Sequence, residues 1–190
     1  MRLFAEILRQ RVGSPLSLAS ITRNLQIAPA TLKCYLSILE APCAVFLVKP
    51  WHHNIACATL QAPKAYFYET GLVIGDEGVR LENFVACALL KHVEFEYGVK
   101  GKEASLHCVR TKDGDQVDFA ISEIPPFGIE VRDLIECEVT DVKAHAALIR
   151  FTAQQPETAS ARLVGDLRQP RELELVSVRP AADWLARLSA

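Results

Sequence analysis

Two short stretches of alternating acidic and apolar residues constrain the fold of this chain more than any other feature. They are QVDFAI at residues 116–121 and LIECEV at residues 134–139. Because successive side chains of a β-strand point to opposite faces, each stretch predicts a strand with carboxylates on one face only. The apolar residues expected to share a core are Val117, Phe119, Ile121, Ile135, Cys137 and Val139. The other face then carries Asp118, Glu136 and Glu138, a layout typical of a divalent-metal site.

The charge of the chain is distributed unevenly along its length. Residues 1–60 carry six basic and two acidic side chains, whereas the remaining residues carry 15 basic and 21 acidic ones. The first part is therefore net positive, although the whole chain has a formal charge of −2. This asymmetry predicts two modules with different partners. A basic first module fits contact with nucleic acid, but a modest positive charge is also common on proteins that bind none.

The six cysteines favour a reduced, cytoplasmic protein. No two of them are separated by two residues and most lie in apolar segments, so neither a zinc cluster nor a disulfide framework is indicated. The first eleven residues are interrupted by charges and lack the apolar centre of a signal peptide. No stretch is long enough to span a bilayer, so we expect no membrane partner.

The pattern of residues 1–70 predicts a winged-helix domain. Helical spacing at the N-terminus ends at residues 13–15, and a second helix begins after Ser14 or Ser17. A short turn leads to Pro29, which suits the first turn of a third helix at 30–40. Apolar strands at 45–48 and 65–68 then follow. Three helices before a hairpin are the order of a winged helix.

A winged helix of this kind would contact double-stranded DNA through its third helix and its wing. The residues placed there are Thr31, Lys33, Cys34 and Ser37 on the helix, and Lys49, His52 and His53 on the wing. Phosphate contacts need clustered Lys and Arg, and the third helix supplies only Lys33. A winged helix that contacts protein alone therefore stays open. The histidine pair lacks a third ligand at a suitable spacing for zinc.

Residues 71–190 predict a second, α/β domain. A strong amphipathic helix is expected over 79–92. The other expected elements are strands at 106–110, 116–122 and 134–140, an exposed loop at 123–133, a helix at 144–154, strands at 162–165 and 173–178, and a closing helix at 181–188. This order fits a small α/β sandwich, so the fold class of the whole chain is α/β (α+β). The central strands carry the acidic residues.

Five segments in this order resemble a known family. They read NLQIAPATLKCYLSILE, PKAYFYETGL, GVRLENFVACALLK, RTKDGDQVDFAI and LIECEV. Together they resemble the C-terminal region of predicted bacterial and archaeal AAA-type ATPases, in which a winged helix precedes a restriction-endonuclease-like domain. The resemblance implies a restriction-endonuclease-like α/β sandwich over 71–190. It also implies an AAA-type ATPase as partner, and a homo-oligomer, a second copy of the chain, stays open beside it.

The ATPase part of that family has no counterpart here. No Gly-x-x-x-x-Gly-Lys-Ser/Thr run occurs in the sequence, so we expect no ATP site in this chain. Met1 falls where the ATPase portion would be ending. The resemblance therefore suggests a truncated gene, a split gene or a C-terminal fragment.

The resemblance also implies which residues would form a nuclease site. In that fold a helix acid, a strand Asp and a Glu two residues before a Lys hold magnesium and activate water. The matching positions are Glu82, Asp118, Glu136 and, at the lysine position, Glu138. Glu138 reverses the sign of a charge that would stabilise the transition state, and Lys143 is the nearest substitute. Two further departures are Gln116, where the family has Glu, and Glu69, where it has Asp.

Three functions follow from these features. The first is a non-catalytic module that binds DNA or a partner ATPase, with a degenerate nuclease-like domain, and Glu138 favours it. The second is a magnesium-dependent endonuclease that uses Glu82, Asp118 and Glu136, with Lys143 replacing the lysine. The third is a regulatory or assembly subunit that binds protein only. A solvated acidic strand face is the alternative to any metal site, because such alternation is common on half-exposed sheets.

Overall fold

The computed structural model of the chain describes residues 1–51, 62–110, 115–123, 130–155, 157–173 and 175–188. His52 and His53, which the sequence places on the wing, lie outside these residues. So do most of the predicted hairpin turn at 111–115 and the central part of the predicted loop at 123–133.

The described residues form helices around one mixed β-sheet, which confirms the α/β (α+β) class. The first elements are α1 (Arg2–Arg9), α2 (Leu18–Leu25), α3 (Pro29–Glu40), β1 (Val45–Pro50), β2 (Lys64–Phe67), a 3₁₀ turn (Thr70–Leu72) and α4 (Glu77–Lys100). The remaining elements are β3 (Ala104–Arg110), β4 (Gln116–Glu123), β5 (Glu130–Glu138), α5 (Ala146–Gln154), β6 (Ala159–Val164), β7 (Arg171–Leu173), β8 (Val176–Pro180) and α6 (Ala181–Leu185).

Within the described part of the chain, eight strands form the sheet in the order β2-β1-β3-β4-β5-β6-β8-β7. Strand β1 pairs in parallel with β3, and β6 pairs in parallel with both β5 and β8. The other neighbours are antiparallel. The two acid-bearing strands, β4 and β5, are direct antiparallel neighbours at the centre of the sheet.

Local chemistry explains where the N-terminal helices begin. The Ser17 side chain accepts a hydrogen bond from the backbone N–H of Ser20 and so caps α2. Gln26 ends that helix in the left-handed conformation, with φ +53°. Pro29 lies in the first turn of α3, where its missing N–H costs no hydrogen bond. These starts agree closely with the sequence prediction.

Several predicted boundaries in the second half were wrong, and the reason is pairing of charged residues. Helix α4 continues to Lys100 instead of ending at 92, because Glu96 is buried and bonded to Arg132. Gly101, with φ +64°, ends the helix. Strand β5 begins at Glu130, within the segment predicted as an exposed loop.

Two further predicted elements differ at the C-terminal end. The strand expected over 173–178 is two antiparallel strands, β7 and β8. The closing helix ends at Leu185 and not at 188. After α6 the chain continues in turns. The partly buried side chains of Leu185 and Leu188 still pack against the core.

A bulge in β4 changes which side chains share a face. His107 pairs with Ala120 and Val109 pairs with Val117, so two residues of β4 lie opposite the single residue Cys108. The two are Asp118 and Phe119, and such a bulge breaks the alternation of side chains along a strand. Val117 therefore belongs to the core beneath α5, whereas Phe119 and Ile121 belong to the core beneath α4. The prediction that these three residues share one face was wrong for Val117.

The N-terminal part and the sheet share one hydrophobic core. It contains Phe4 and Leu32 from the first helices together with Phe119 and Ile135 from the central strands. The segment between α1 and α2 also runs along the free edge of β2: the Leu16 N–H donates to the Pro63 carbonyl at 2.7 Å. The domain boundary near residue 70 stays a prediction. None of the helices that the structure describes is long and apolar enough to cross a membrane.

Gly13 lies in this edge segment and has a left-handed backbone, with φ +73°. A Cβ atom at this position would lie 2.6 Å from Glu82 Oε2. Gly13→Ala should therefore lower the free energy of unfolding by about 1–2 kcal/mol from the backbone alone, with a further loss from the contact.

The matched control for Gly13→Ala is Gly98→Ala within α4. A Cβ at Gly98 meets nothing within 4 Å, so this change should stabilise the helix by about 0.5–1 kcal/mol. Urea unfolding followed by circular dichroism measures the free energy of unfolding of both variants. Equal effects of the two substitutions would contradict the close approach of Gly13 to Glu82.

Candidate functional site

Two of the predicted metal ligands meet around a lysine that the sequence interpretation did not include. Glu82 comes from the first turns of α4, Asp118 from the bulge of β4, and Lys64 from the start of β2. Lys64 Nζ lies 3.0 Å from Glu82 Oε1 and 3.3 Å from Asp118 Oδ1. The Lys64 side chain is only 5% exposed. The ammonium thus occupies the space between the two carboxylates.

Neighbouring groups fix the position of both carboxylates. The Tyr66 hydroxyl donates to Glu82 Oε1 at 2.6 Å. Asp118 Oδ2 accepts the backbone N–H of Cys137 on the adjacent strand at 3.0 Å. The backbone of Gly13 covers the other side of Glu82. Each carboxylate therefore has both a cation and a further donor.

The pKa values in this group follow from burial and from the three charges. Burial raises the pKa of Glu82, and the charge of Asp118 raises it further, against the opposing effects of Lys64 and Tyr66. Burial alone would lower the pKa of Lys64, but the charges of Asp118 and Glu82 outweigh it. The pKa of Lys64 is therefore raised and its ammonium stays charged.

A second buried ion pair holds the third predicted metal ligand. Arg162 Nη1 of β6 lies 2.8 Å from Glu136 Oε2 of β5, and each side chain is 7% exposed. Glu136 Oε2 also accepts the backbone N–H of His145 before α5. Burial raises the pKa of Glu136, although the charge of Arg162 acts to lower it.

Glu138 lies beside this second pair, whereas the side chain of Lys143 lies at the surface. Glu138 is 41% exposed and its Oε2 lies 3.8 Å from Arg162 Nη2. The side chain of Lys143 is exposed, and it forms no ion pair with a residue that the structure describes. Its backbone N–H donates to Asp141. Arg162, and not Lys143, is therefore the cation beside Glu138.

The predicted metal ligands are thus divided between two faces of the sheet. On β5, Leu134 belongs to the core beneath α5 and Ile135 to the core beneath α4, so alternation places Glu136 on the α5 face. Asp118 and Glu82 meet on the α4 side. Across the described ranges, no group of three or more His, Cys, Asp or Glu residues could hold a metal ion.

The donor chemistry gives a direct test of whether Mg²⁺ fits this arrangement. Carboxylate oxygens of Glu82 and Asp118 are the hard donors that Mg²⁺ prefers. However, the Lys64 ammonium lies within 3.3 Å of these same carboxylates. The ammonium fills the space between the two carboxylates, so with Lys64 in this position the residues do not fit a Mg²⁺ ion bound by both. Magnesium binding stays a prediction from the resemblance.

The sequence interpretation missed Lys64, Tyr66 and Arg162. Lys64 and Arg162 could have been noticed in the sequence, because each is a single charged residue flanked by apolar residues. Arg162 lies in a predicted strand and Lys64 lies directly before one. A charge in such a position needs a buried partner. Local pattern does not say which partner, and the Lys64–Asp118 pair is separated by 54 residues.

The candidate DNA-contact residues lie mostly at the surface. Lys33, Cys34 and Ser37 are exposed on α3, whereas Thr31 is half-buried. The Ser37 hydroxyl donates to the Lys33 carbonyl. Lys49 is exposed on β1, opposite His107 of β3. These positions form a surface separate from the buried Lys64 group.

Comparison with known proteins gives one match. A family model described as "Domain of unknown function (DUF8612)" matches residues 1–79. The match spans α1 to β2 and ends just inside α4, so it includes Lys64 and Tyr66 but not Glu82. Neither the search of curated proteins nor the search of solved structures returns a match.

Lys64→Met keeps an unbranched side chain but removes the ammonium from between two carboxylates. Removing one partner of a buried ion pair typically costs about 3–5 kcal/mol, and we expect a loss of this order. Urea unfolding measures it, with Lys33→Met on the exposed surface of α3 as the matched control.

The loss caused by Lys64→Met should be larger at about pH 8 than at about pH 5. Without Lys64, the pKa of Glu82 rises further above its unfolded value. A carboxyl group whose pKa is higher in the folded state than in the unfolded state stabilises the fold at pH values below its unfolded pKa. This stabilisation disappears as the pH rises through the folded pKa. The same loss at both pH values would contradict the role of Lys64 as counter-ion of Glu82.

Proposed function

We propose that this chain is a non-catalytic binding module whose nuclease-like domain has lost its metal chemistry. A single observation carries this proposal: buried cations of the chain itself, Lys64 and Arg162, are paired with the carboxylates that a nuclease would use for magnesium. Such carboxylates act as structural ion pairs. The family resemblance supplies the nuclease-like interpretation.

The charge next to the Glu136 pair also opposes phosphodiester cleavage. Nuclease chemistry needs a positive group to stabilise the negative charge that develops on the phosphate. Glu138 provides the opposite sign, and Lys143 forms no ion pair with a described residue that would hold it in place. The Arg162 guanidinium is only 7% exposed and is bonded to Glu136, which limits its access to a substrate.

The order of elements in the N-terminal part supports a winged helix as the binding part. Three helices precede the strand pair β1 and β2, and the family match at residues 1–79 spans these elements. Exposed basic residues on this part include Arg23 on α2 and Lys33 on α3. We propose double-stranded DNA as the ligand of this surface, contacted mainly through phosphates.

The family resemblance adds a protein partner. An AAA-type ATPase supplied by another chain would provide the motor for which this sequence has no ATP site, whereas a second copy of this chain would act only as an assembly partner. In this proposal the winged helix holds the DNA, and the nuclease-like domain serves as a scaffold.

Fluorescence anisotropy of a labelled DNA duplex, titrated with the protein at several salt concentrations, tests the DNA part. We expect the logarithm of affinity to fall linearly with the logarithm of salt concentration. Lys33→Gln should weaken binding and reduce the salt slope by about 1. Lys91→Gln on α4 makes the same charge change and should leave both unchanged. Absence of binding at low salt would reject DNA as the ligand and direct the search to a protein partner.

Incubation of plasmid DNA with the protein and Mg²⁺ or Mn²⁺ tests the loss of catalysis. We expect no cleavage above that of the Asp118→Asn variant. We also expect no gain from Glu138→Lys, because the new lysine would lie beside Arg162 while Lys64 still holds Asp118. Metal-dependent cleavage that disappears in Asp118→Asn would overturn the proposal and favour the endonuclease.

A further inference from the structure

A cavity of about 470 Å³ lies between β8 and α6, at the opposite end of the sheet from β1 and β2. Ligand sites typically have volumes of about 300–1,000 Å³, so this cavity is large enough for a small organic ligand. Arg179 of β8 and Trp184 of α6 line it, together with Asp183 and Arg187. None of these residues belongs to the carboxylate groups or to the surface of α3.

The basic groups at this cavity differ in their partners. The guanidinium of Arg179 is paired with Glu172 of β7. Arg187 is exposed and forms no ion pair with the residues that the structure describes. Asp183 is exposed and also lines the cavity, so it adds one negative charge. An anionic ligand in the cavity would therefore find the guanidinium of Arg187 available and that of Arg179 held by Glu172. The carboxylate of Asp183 would repel such a ligand.

An aromatic surface accompanies these charges. Trp184 is partly buried, packs against the main core and also lines the cavity. An indole ring that is anchored in this way offers a stacking surface at low entropic cost. Nucleobases stack on such aromatic side chains, and guanidinium groups bind phosphate through paired hydrogen bonds.

We propose that this cavity binds a nucleoside phosphate unit, either as a free nucleotide or at the end of a nucleic acid strand. The base lies against Trp184 and the phosphate binds Arg187. Arg179 contributes when the phosphate competes with Glu172 for its guanidinium. The proposal is independent of the winged-helix surface, because α3 contacts β1 at the other end of the sheet.

Isothermal titration calorimetry of the full chain with dTMP, thymidine and inorganic phosphate tests this site. We expect dTMP to bind at least about tenfold more tightly than either thymidine or phosphate, because only dTMP uses both the indole and the guanidinium. Titration with oligo(dT), with and without a 5′-phosphate, distinguishes a site for the ends of nucleic acid strands from a site for free nucleotide. Preference for the phosphorylated strand over dTMP assigns the site to strand ends, and the reverse assigns it to free nucleotide.

Substitutions that remove a positive charge and substitutions that remove a negative charge should have opposite effects on dTMP affinity, which makes the test specific. Arg187→Gln should weaken dTMP binding by about tenfold or more, as expected for loss of a hydrogen bond to a charged group. Glu172→Gln and Asp183→Asn should both strengthen it, because one releases Arg179 and the other removes a repelling charge. Arg168→Gln removes a nearby arginine that does not line the cavity and should have no effect. Circular dichroism checks that each variant is folded.

Three results would overturn the proposal. The first is the absence of saturable dTMP binding up to about 10 mM. The second is equal affinity for phosphate and dTMP, which would describe an anion site without a base. The third is the same affinity in Arg187→Gln as in the parent protein. Loss of duplex binding in Lys33→Gln with dTMP binding intact would show that the two surfaces are separate.

Discussion

The ion pairs of Lys64 join three elements that are separated along the chain. Its ammonium joins β2 at one end of the sheet to α4 and to the central strand β4. A buried charge without a partner is costly, so each member of the group is stable only while the other two are in place. The Tyr66 hydroxyl donates to the same Glu82 oxygen that Lys64 contacts, and the Cys137 N–H donates to the second oxygen of Asp118. The position of the N-terminal part therefore depends on this group as well as on the shared apolar core.

The order of the elements could be predicted from the sequence, but the division of the acidic residues between two faces could not. The acid-bearing strands are neighbours, as their pattern predicted. That pattern assumes a strict period of two, and the bulge at Asp118 and Phe119 breaks the period. One extra residue was enough to place Asp118 with Glu82 on the α4 side, although its charge still acts across the sheet to raise the pKa of Glu136. Such a bulge depends on pairing with β3, which the sequence of β4 alone does not contain.

The two internal cations show a second limit of reasoning from local sequence. Lys64 and Arg162 each lie among apolar residues, and this arrangement predicts a buried partner without identifying it. The partner of Arg162 lies on the adjacent parallel strand, in direct register with it. The partners of Lys64 come from a helix and from a strand far along the chain. Predicting these pairs requires the sheet order, which the structure provides.

Under the proposed function, the difference between a tethered ammonium and a divalent metal would explain how the carboxylates remain without catalysis. A lysine satisfies the charge of the carboxylates and stabilises the fold, but it does not bind water and lower its pKa as a metal does. The ligand contacts proposed for this chain lie on surfaces outside this group, namely α3 with β1 at one end of the sheet and the cavity beside α6 at the other. A binding module with a structural acidic centre is consistent with the ion-paired carboxylates and with the presence of these two surfaces.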